Sequence, residues 1–403
     1  MSLRILAVHR YYWPDTPPYA AMLKQIVGRW HQDGHHVDVL SSQPSYKEAL
    51  ANERRPKSEV IEGVRIERLH LMPEGGRPLR RLYNAIRLAA ALIWRALARR
   101  YEVILISTAP PVLGGLAASI AARLTGARFI YHCMDIHPEA GRVTGEFANP
   151  IVFGILRRLD TWTCRTANPV IVLSRDMEHT LRQRKYGHDF EILIQNNFSL
   201  PNDNIDSERV PIDIAPIRLT ILFAGNVGRF QGLDVMVEAM GHLNQREDVE
   251  FLVMGEGTEK ARLKEYATEK GAKVRFLGHQ PVHVAKQYMA RADAGFVSLR
   301  PDMYHYAFPS KTMTYLEQGC PLIAAIEPQS ELATDMIAEG YGLLAPTDDS
   351  IALARLIASL ADNPGTLAGM RTRAALKAKT CFSEEVVLNT WSELLAGPDG
   401  TYQ

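Results

Sequence analysis

The sequence holds four cysteines, Cys133, Cys164, Cys320 and Cys381, with no C-x-x-C pair and no Cys/His cluster. That excludes a disulfide framework and a zinc site, and fits reduced thiols in a cytoplasmic protein. No apolar run is long enough to span a bilayer. The opening "MSLRILAVHRYYWP" meets His9 and Arg10 at once and reads as a buried first strand rather than a signal peptide. Neither sign of charge dominates, with 46 Lys plus Arg against 45 Asp plus Glu. General nucleic-acid binding is therefore not expected, and any basic surface must be local. Metal motifs are lacking too: "NDNID" and "TDD" (347–349) read as turns and caps, so no metal requirement is expected.

What is present is a repeated rhythm. Short apolar runs ("RILAVHR", "HVDVLSS", "RIERLHL", "EVILIST", "RFIYHCM", "PVIVLS") alternate with helical periods, the first helix covering about Tyr19 to Asp33. Continuously apolar runs of this length suit parallel strands covered on both faces. The rhythm breaks in the Asn-, Asp- and Pro-rich stretch 196–217, a linker, then resumes with "LTILFAG", "VEFLVMG", "VRFLGH", "AGFVSL", "PLIAAI" and "GLLAP". The chain, too long for one core, divides into doubly wound α/β domains at 1–195 and 218–382. Ligands of such sheets lie beyond the carboxyl ends of the strands.

Three turns there draw notice. "LFAGNVGRFQGLD" sets Gly225, Gly228 and Gly232 between a strand and a helix, with Arg229 as a charge. "VMGEGTEKARL" does the same with Gly255. Both spacings differ from G-x-G-x-x-G and from a P-loop, and each also suits a tight connection that binds nothing. "YAFPSKTMTYLEQGCP" reads as a helix start with Pro309 in the first turn, Ser310 as its cap and Gly319 at C′. Bare N–H groups and Lys311 would attract an anion there. The three turns lie at corresponding strand ends and could converge on one diphosphate.

In order and spacing, "FAGNVGRFQGLD", "VMGEG", "VRFLGHQP", "FPSKTMTYLEQGCPLIA" and "GYGLLAP" resemble the donor domain of family 4 glycosyltransferases. These are retaining enzymes of the GT-B fold, two Rossmann-like domains facing across a cleft. "STAPP" and "MDIHPE" are similar to stretches of the branch that builds bacterial surface polysaccharides. The resemblance covers most of the chain and implies a nucleotide-sugar donor, most often a UDP-sugar, with no resident cofactor. It implies donor contacts from Gly225, Asn226, Val227, Gly228, Arg229, Gln231 and Gly255. Asn226 and Gln231 stand where relatives carry Arg and Lys, so Arg229 and Lys311 are expected to supply the missing charge. Tyr306 and Thr314 replace two family glutamates, and Glu317, three residues past Thr314, is the substitute for the ribose contact. Gly278, His279, Gln280 and Pro281 align with the turn that reads the base through its backbone. Pro309 and Ser310 adjoin the diphosphate, and Ser330, Glu331 and Leu332 align with a loop near the sugar. A final helix within about 383–403 is expected to return to the first domain.

On the acceptor or sugar side the resemblance points to Tyr12, Asp15 and Tyr19, where Pro17 and Pro18 replace a flexible Gly-Gly loop. It points also to Asp135, His137 and Glu139 after a buried strand, with Met134 in place of the usual His. Transfer of this kind needs no protein nucleophile. Arg229 and Lys311 would stabilise the departing diphosphate, with Asp135 as a further catalytic candidate. The acceptor would be a saccharide or lipid-linked saccharide and the sugar a hexose, glucose by family frequency. Residues 77–100 hold seven Arg and no acid. Leu79, Leu82, Ile86, Ala90, Ile93 and Leu97 form a stripe on that helix, suited either to an anionic membrane at the inner face of the plasma membrane or to covering the domain. A UDP-sugar 2-epimerase and a non-catalytic nucleotide-sugar binder share the architecture and remain alternatives.

Overall fold

The computed structural model describes residues 2–15, 17–45, 54–72, 77–199, 212–214 and 217–396. The chain forms two compact units, Met1–Asn196 with Val387–Gln403, and Asn197–Val386. Most of the expected linker, residues 200–211 and 215–216, lies outside the described residues.

The first unit carries strands β1 (Arg4–Val8), β2 (His36–Ser42), β3 (Ser58–Ile61), β4 (Val64–Leu69), β5 (Val103–Ser107), β6 (Arg128–Cys133), β7 (Val170–Val172) and β8 (Ile192–Ile194). They form one sheet in the order β3-β4-β2-β1-β5-β6-β7-β8. All neighbours are parallel except β3 and β4. That antiparallel edge departs from the expected all-parallel rhythm. Its cause is the two-residue turn Glu62-Gly63, both at positive φ (50° and 83°), the conformation that closes a tight hairpin. Every residue of β5 is buried, as covering on both faces requires.

The second unit holds β9 (Leu219–Ala224), β10 (Val249–Met254), β11 (Val274–Gly278), β12 (Ala294–Ser298), β13 (Leu322–Ala325) and β14 (Gly342–Ala345). Their order is β11-β10-β9-β12-β13-β14, all parallel. Strand order reverses between β9 and β12, so the loops after these two strands flank the switch point where such sheets take ligands. The core beneath includes Ile221, Phe223, Phe251, Val253 and Phe296.

The last helix, Glu384–Ala396, delivers Trp391 to the first unit's core. The Trp391 ring meets Trp30 edge-on at 5.9 Å and His132 at 4.9 Å, and Trp30 Nε1 donates to the Trp391 carbonyl at 2.9 Å.

Candidate donor site and its surroundings

In the second unit three strand ends are stitched together by backbone. Gly225 N–H donates to Met254 O at 2.9 Å, and Gly255 N–H to Gly278 O at 2.7 Å. Val227 N–H donates to Glu256 O, while its own carbonyl accepts from Glu259 N–H. The glycines of the second turn serve this contact. A Cβ on Gly255, which has φ 142°, would stand 1.8 Å from Gly225 O, and one on Gly257 would stand 2.1 Å from Val227 O. These two glycines therefore allow one loop to lie on another, a constraint internal to the protein. Gln231 holds the first turn by accepting from Gly228 N–H at 3.2 Å, and Asn226 is exposed on it.

Lys311 lies over that turn. Its Cγ and Cε are 3.6 and 3.8 Å from where a Cβ on Gly225 would sit. The side chain is half-buried and, among the described residues, has no hydrogen-bond or ion-pair partner. Burial alone pushes its pKa down. Arg229 is different and corrects the expectation drawn from sequence. Its side chain is 59% exposed, and its Nε lies 3.4 Å from Glu259 Oε1. Glu259 is held below the ordinary carboxylate range chiefly by Arg262, which also pairs with Asp234 at 2.6 Å. Arg229 thus extends into a surface ion-pair cluster instead of offering free charge.

The segment 306–321 also differs in detail. The helix runs Thr312–Glu317, its N-cap position is Lys311, and no side chain caps it. Ser310 is exposed without the expected capping bond, and Pro309 precedes the helix, its carbonyl accepting from Thr312 N–H at 3.1 Å. Gly319 takes the left-handed conformation expected of it, at φ 62°. Glu317 is a correction. It pairs with Lys286 at 2.7 Å and accepts from Ser199 at 2.6 Å. It stands six residues, about 9 Å of helix rise, beyond Lys311. These contacts tie its Oε2 to a neighbouring helix and leave only Oε1 to meet a ribose hydroxyl. Thr314 and Tyr306 are half-buried, the Tyr306 ring 5.9 Å from His305.

Ser330 and Leu332 turn inward as well. Ser330 caps the helix Glu331–Glu339, accepting from Ala333 N–H at 3.3 Å and donating to Glu327 O at 2.7 Å. Leu332 is buried core, which leaves half-buried Glu331 as the outward candidate of that loop. In the turn 278–281 Gly278 has φ 71°, His279 and Pro281 are exposed, and Gln280 Nε2 donates to Leu277 O at 3.1 Å. Sequence reasoning missed Arg300 and Glu327. Glu327 Oε1 accepts from Asp302 N–H at 2.6 Å and so ties down the loop after β12. Its Oε2 is buried with no partner among the described residues. The strand-end rule would have reached Arg300, two residues beyond β12.

In the first unit, Tyr12, Asp15 and Tyr19 are interior, against expectation. Tyr12 is 1% exposed under Arg68. The Asp15 carboxylate accepts from Ser45 N–H at 3.2 and 3.3 Å. The Tyr19 hydroxyl meets His132 Nδ1 at 3.0 Å. Burial lowers His132 to about 3 and neighbouring His9 to about 4, so both rings are neutral packing elements near pH 7.

Glu139 is corrected too, because Arg184 holds it. Arg184 donates Nε and Nη2 to the two Glu139 oxygens (3.1 and 2.6 Å), Nη1 to Asp160 (2.5 Å) and Nη2 to His137 O (3.0 Å). The arginine side chain is 1% exposed. Above this network the Asp135 carboxyl is half-buried with no partner among the described residues. Burial raises its pKa and His137 opposes the rise. His137 Nδ1 is likewise buried and unpartnered.

The arginine-rich segment is the helix Pro78–Arg99. It packs on the Gly- and Ala-rich helix Leu113–Thr125 and buries Asn84, Ala85, Leu88, Leu92 and Ala96. The stripe Leu79, Leu82, Ile86, Ala90 and Leu97 therefore faces outward, joined by Tyr83 and Trp94. Leu79 is 79% exposed, Trp94 72% and Ile86 55%. Arg95 and Arg99 fold back onto Glu67, and Arg99 also reaches Asp38. Among the described residues no helix is long and apolar enough to cross a membrane, and no group of three or more His, Cys, Asp or Glu could hold a metal ion.

Comparison with known proteins agrees with this two-unit architecture. Residues 19–193 match the model of a glycosyl transferase 4-like domain, and residues 218–363 match that of glycosyl transferases group 1. The probable glycosyltransferase WbjE of Pseudomonas aeruginosa is 26% identical over 96% of each chain. The putative colanic acid biosynthesis glycosyl transferase WcaI of Escherichia coli K12 is 24% identical over 82% of this chain and 85% of its own. Among solved structures, sucrose-phosphate synthase of Thermosynechococcus elongatus superposes with a TM-score of 0.78 at 18% identity, covering 98% of both chains. Anabaena HepE in complex with UDP and glucose gives 0.67 at 18% identity, covering 98% of this chain and 100% of that one. Both units are thus accounted for by one kind of enzyme, and the chain belongs to the group 1, family 4-like glycosyltransferases of GT-B fold.

Proposed function

We propose that this glycosyltransferase moves a hexose, glucose as the first candidate, from a UDP-sugar to a saccharide or lipid-linked saccharide in surface-polysaccharide synthesis. The reading has transfer proceeding with retention and without a metal. One observation carries it: a half-buried Lys311 ammonium with no partner among the described residues lies against Gly225 beside the β9/β12 switch point. A sugar leaving group that departs as a nucleoside diphosphate develops negative charge, and a fixed cation in a partly dry site stabilises it more than water does. The diphosphate oxygen can then take the acceptor proton on the face of attack, so no protein base is required. UDP and glucose in the HepE complex support the donor, and the name of WcaI supports the polysaccharide context.

The test is UDP release from UDP-glucose with and without oligosaccharide and lipid-linked acceptors. Release that requires acceptor is expected. The Asp135 carboxyl, with no partner among the described residues, is the kind of acid/base group that an epimerase needs, so the free sugar nucleotide is analysed in the same reactions. An altered sugar nucleotide without acceptor would replace transfer by epimerisation, and binding without turnover would leave a non-catalytic binder.

The same reading places the protein in the cytoplasm, at the inner face of the plasma membrane. The outward apolar stripe of the helix Pro78–Arg99, flanked by Arg80 and Arg87, suits an interface of anionic lipid. Flotation with vesicles containing anionic lipid is expected, and neutral vesicles should retain little. Ile86→Glu and Trp94→Glu should abolish flotation with unchanged melting, because both side chains already face solvent. Wild-type protein that ignores anionic vesicles would remove the membrane contact.

A further inference from the structure

The loop after β12 brings a second cation to the glycine turn. Arg300 N–H donates to Phe230 O at 2.8 Å, fastening this loop to the one after β9. Its Cγ lies 3.4 Å from where a Cβ on Gly232 would sit, and Gly232 itself holds φ 57°. With Gly228, Gly232 and the cluster residues Arg229 and Arg262, Arg300 lines a small pocket on the Gly232 side of the turn, away from Gly225 and Lys311. Two acids in that lining, Asp234 and Glu259, are taken by Arg262 and Arg229. Lys260, nearby, is taken by Glu256 at 2.6 Å. The Arg300 guanidinium has no hydrogen-bond or ion-pair partner among the described residues. Lys311 shares that property at the other end of the same turn, over Gly225. Each terminal glycine of the turn therefore lies under one cation that has no partner among the described residues.

We infer that Arg300 is the second donor-binding cation, gripping the diphosphate of the nucleotide sugar opposite Lys311 and supplying the charge that Asn226 and Gln231 lack. This rests on the nucleotide-sugar reading above. The chemistry fits, since a guanidinium presents a fork of N–H donors to phosphate oxygens, while an ammonium acts as a point charge. The close approach of Arg300 to Gly232 fixes its stem, so little freedom is lost on binding.

Titration of UDP, uridine and inorganic pyrophosphate into wild type, Arg300→Ala, Arg300→Lys and Arg229→Ala tests the assignment. Arg300→Ala should raise the Kd for UDP about 10- to 100-fold, the range for one or two charge-assisted hydrogen bonds. It should weaken pyrophosphate similarly and leave uridine unchanged, with Arg300→Lys recovering part of the loss. Arg229→Ala should affect UDP less than Arg300→Ala does. Wild-type affinity for UDP in Arg300→Ala would overturn the inference, as would equal losses for UDP and uridine or a larger loss in Arg229→Ala. Wild type that fails to bind UDP would instead sink the UDP-sugar reading itself, and Arg300 with it.

Discussion

Lys311→Met is expected to lower kcat/KM about 10²–10³-fold, the loss typical of removing one preorganised donor to a developing anion. The same variant should be no less stable than wild type. Methionine keeps an aliphatic stem against Gly225 and removes only the ammonium, which has no partner among the described residues. The sign follows from linkage. Burial lowers the folded pKa of Lys311 below its unfolded value, so the stability it contributes is present above the unfolded pKa and lost as pH falls through the folded one. Near neutral pH the charged lysine is thus a burden on folding, which a neutral side chain relieves. Kinetics and thermal melting of one variant should therefore move in opposite senses. Unchanged kinetics would end the phosphate role, and a large drop in Tm would show that Lys311 is structural.

The parts legible in the sequence are those set by local pattern. Continuous apolar runs such as "VILIS" and "LTILFA" announce parallel strands buried on both faces, and both are fully buried. Gly319 announces a left-handed turn because few other residues adopt one cheaply. The parts that were not legible depend on partners far apart in the chain. Nothing beside Glu317 reveals Lys286, and nothing beside Glu139 reveals Arg184, 45 positions on. Each carboxylate looks available until the partner is seen. The helix Pro78–Arg99 shows the same limit differently. Its wheel carries two apolar faces, and periodicity cannot say which one packs inward. The smaller face, with Ala85 and Ala96, meets a Gly- and Ala-rich neighbour, where close approach favours small side chains. The bulkier stripe is left outside. The chemistry is legible to the same degree: the strand-end turns are marked by glycine, but which cation is free is decided by acids elsewhere. Glu259 claims Arg229, and no described acid claims Lys311 or Arg300.

Arg184→Ala should be the most destabilising single change of a charged residue in the first unit. It takes the shared guanidinium from two buried carboxylates, leaving Glu139 with the half-exposed Arg157 and Asp160 with the Tyr131 hydroxyl. Removing one partner of a buried ion pair costs about 3–5 kcal/mol, more than the intact pair contributes, because the remaining charge stays desolvated. For a unit of this size that is a fall in Tm of roughly 10 °C. In wild type, burial pushes the Asp160 carboxyl up and Arg184 pulls it down. The net effect already leaves the folded pKa above the ordinary carboxylate range, and without the guanidinium only the hydrogen bond from Tyr131 opposes burial, so it rises further above the unfolded one. A raised acid contributes its stability at low pH and loses it as pH climbs through the folded pKa. The deficit of the variant should therefore shrink as pH falls below 7, when Asp160 takes up its proton. A Tm within about 2 °C of wild type at pH 7, or a deficit indifferent to pH, would show that the network is not the support described. Arg184 also donates to the His137 carbonyl in the turn that carries Asp135. Arg184→Lys, which keeps the charge but loses the fork, should accordingly recover part of the stability and less of the activity.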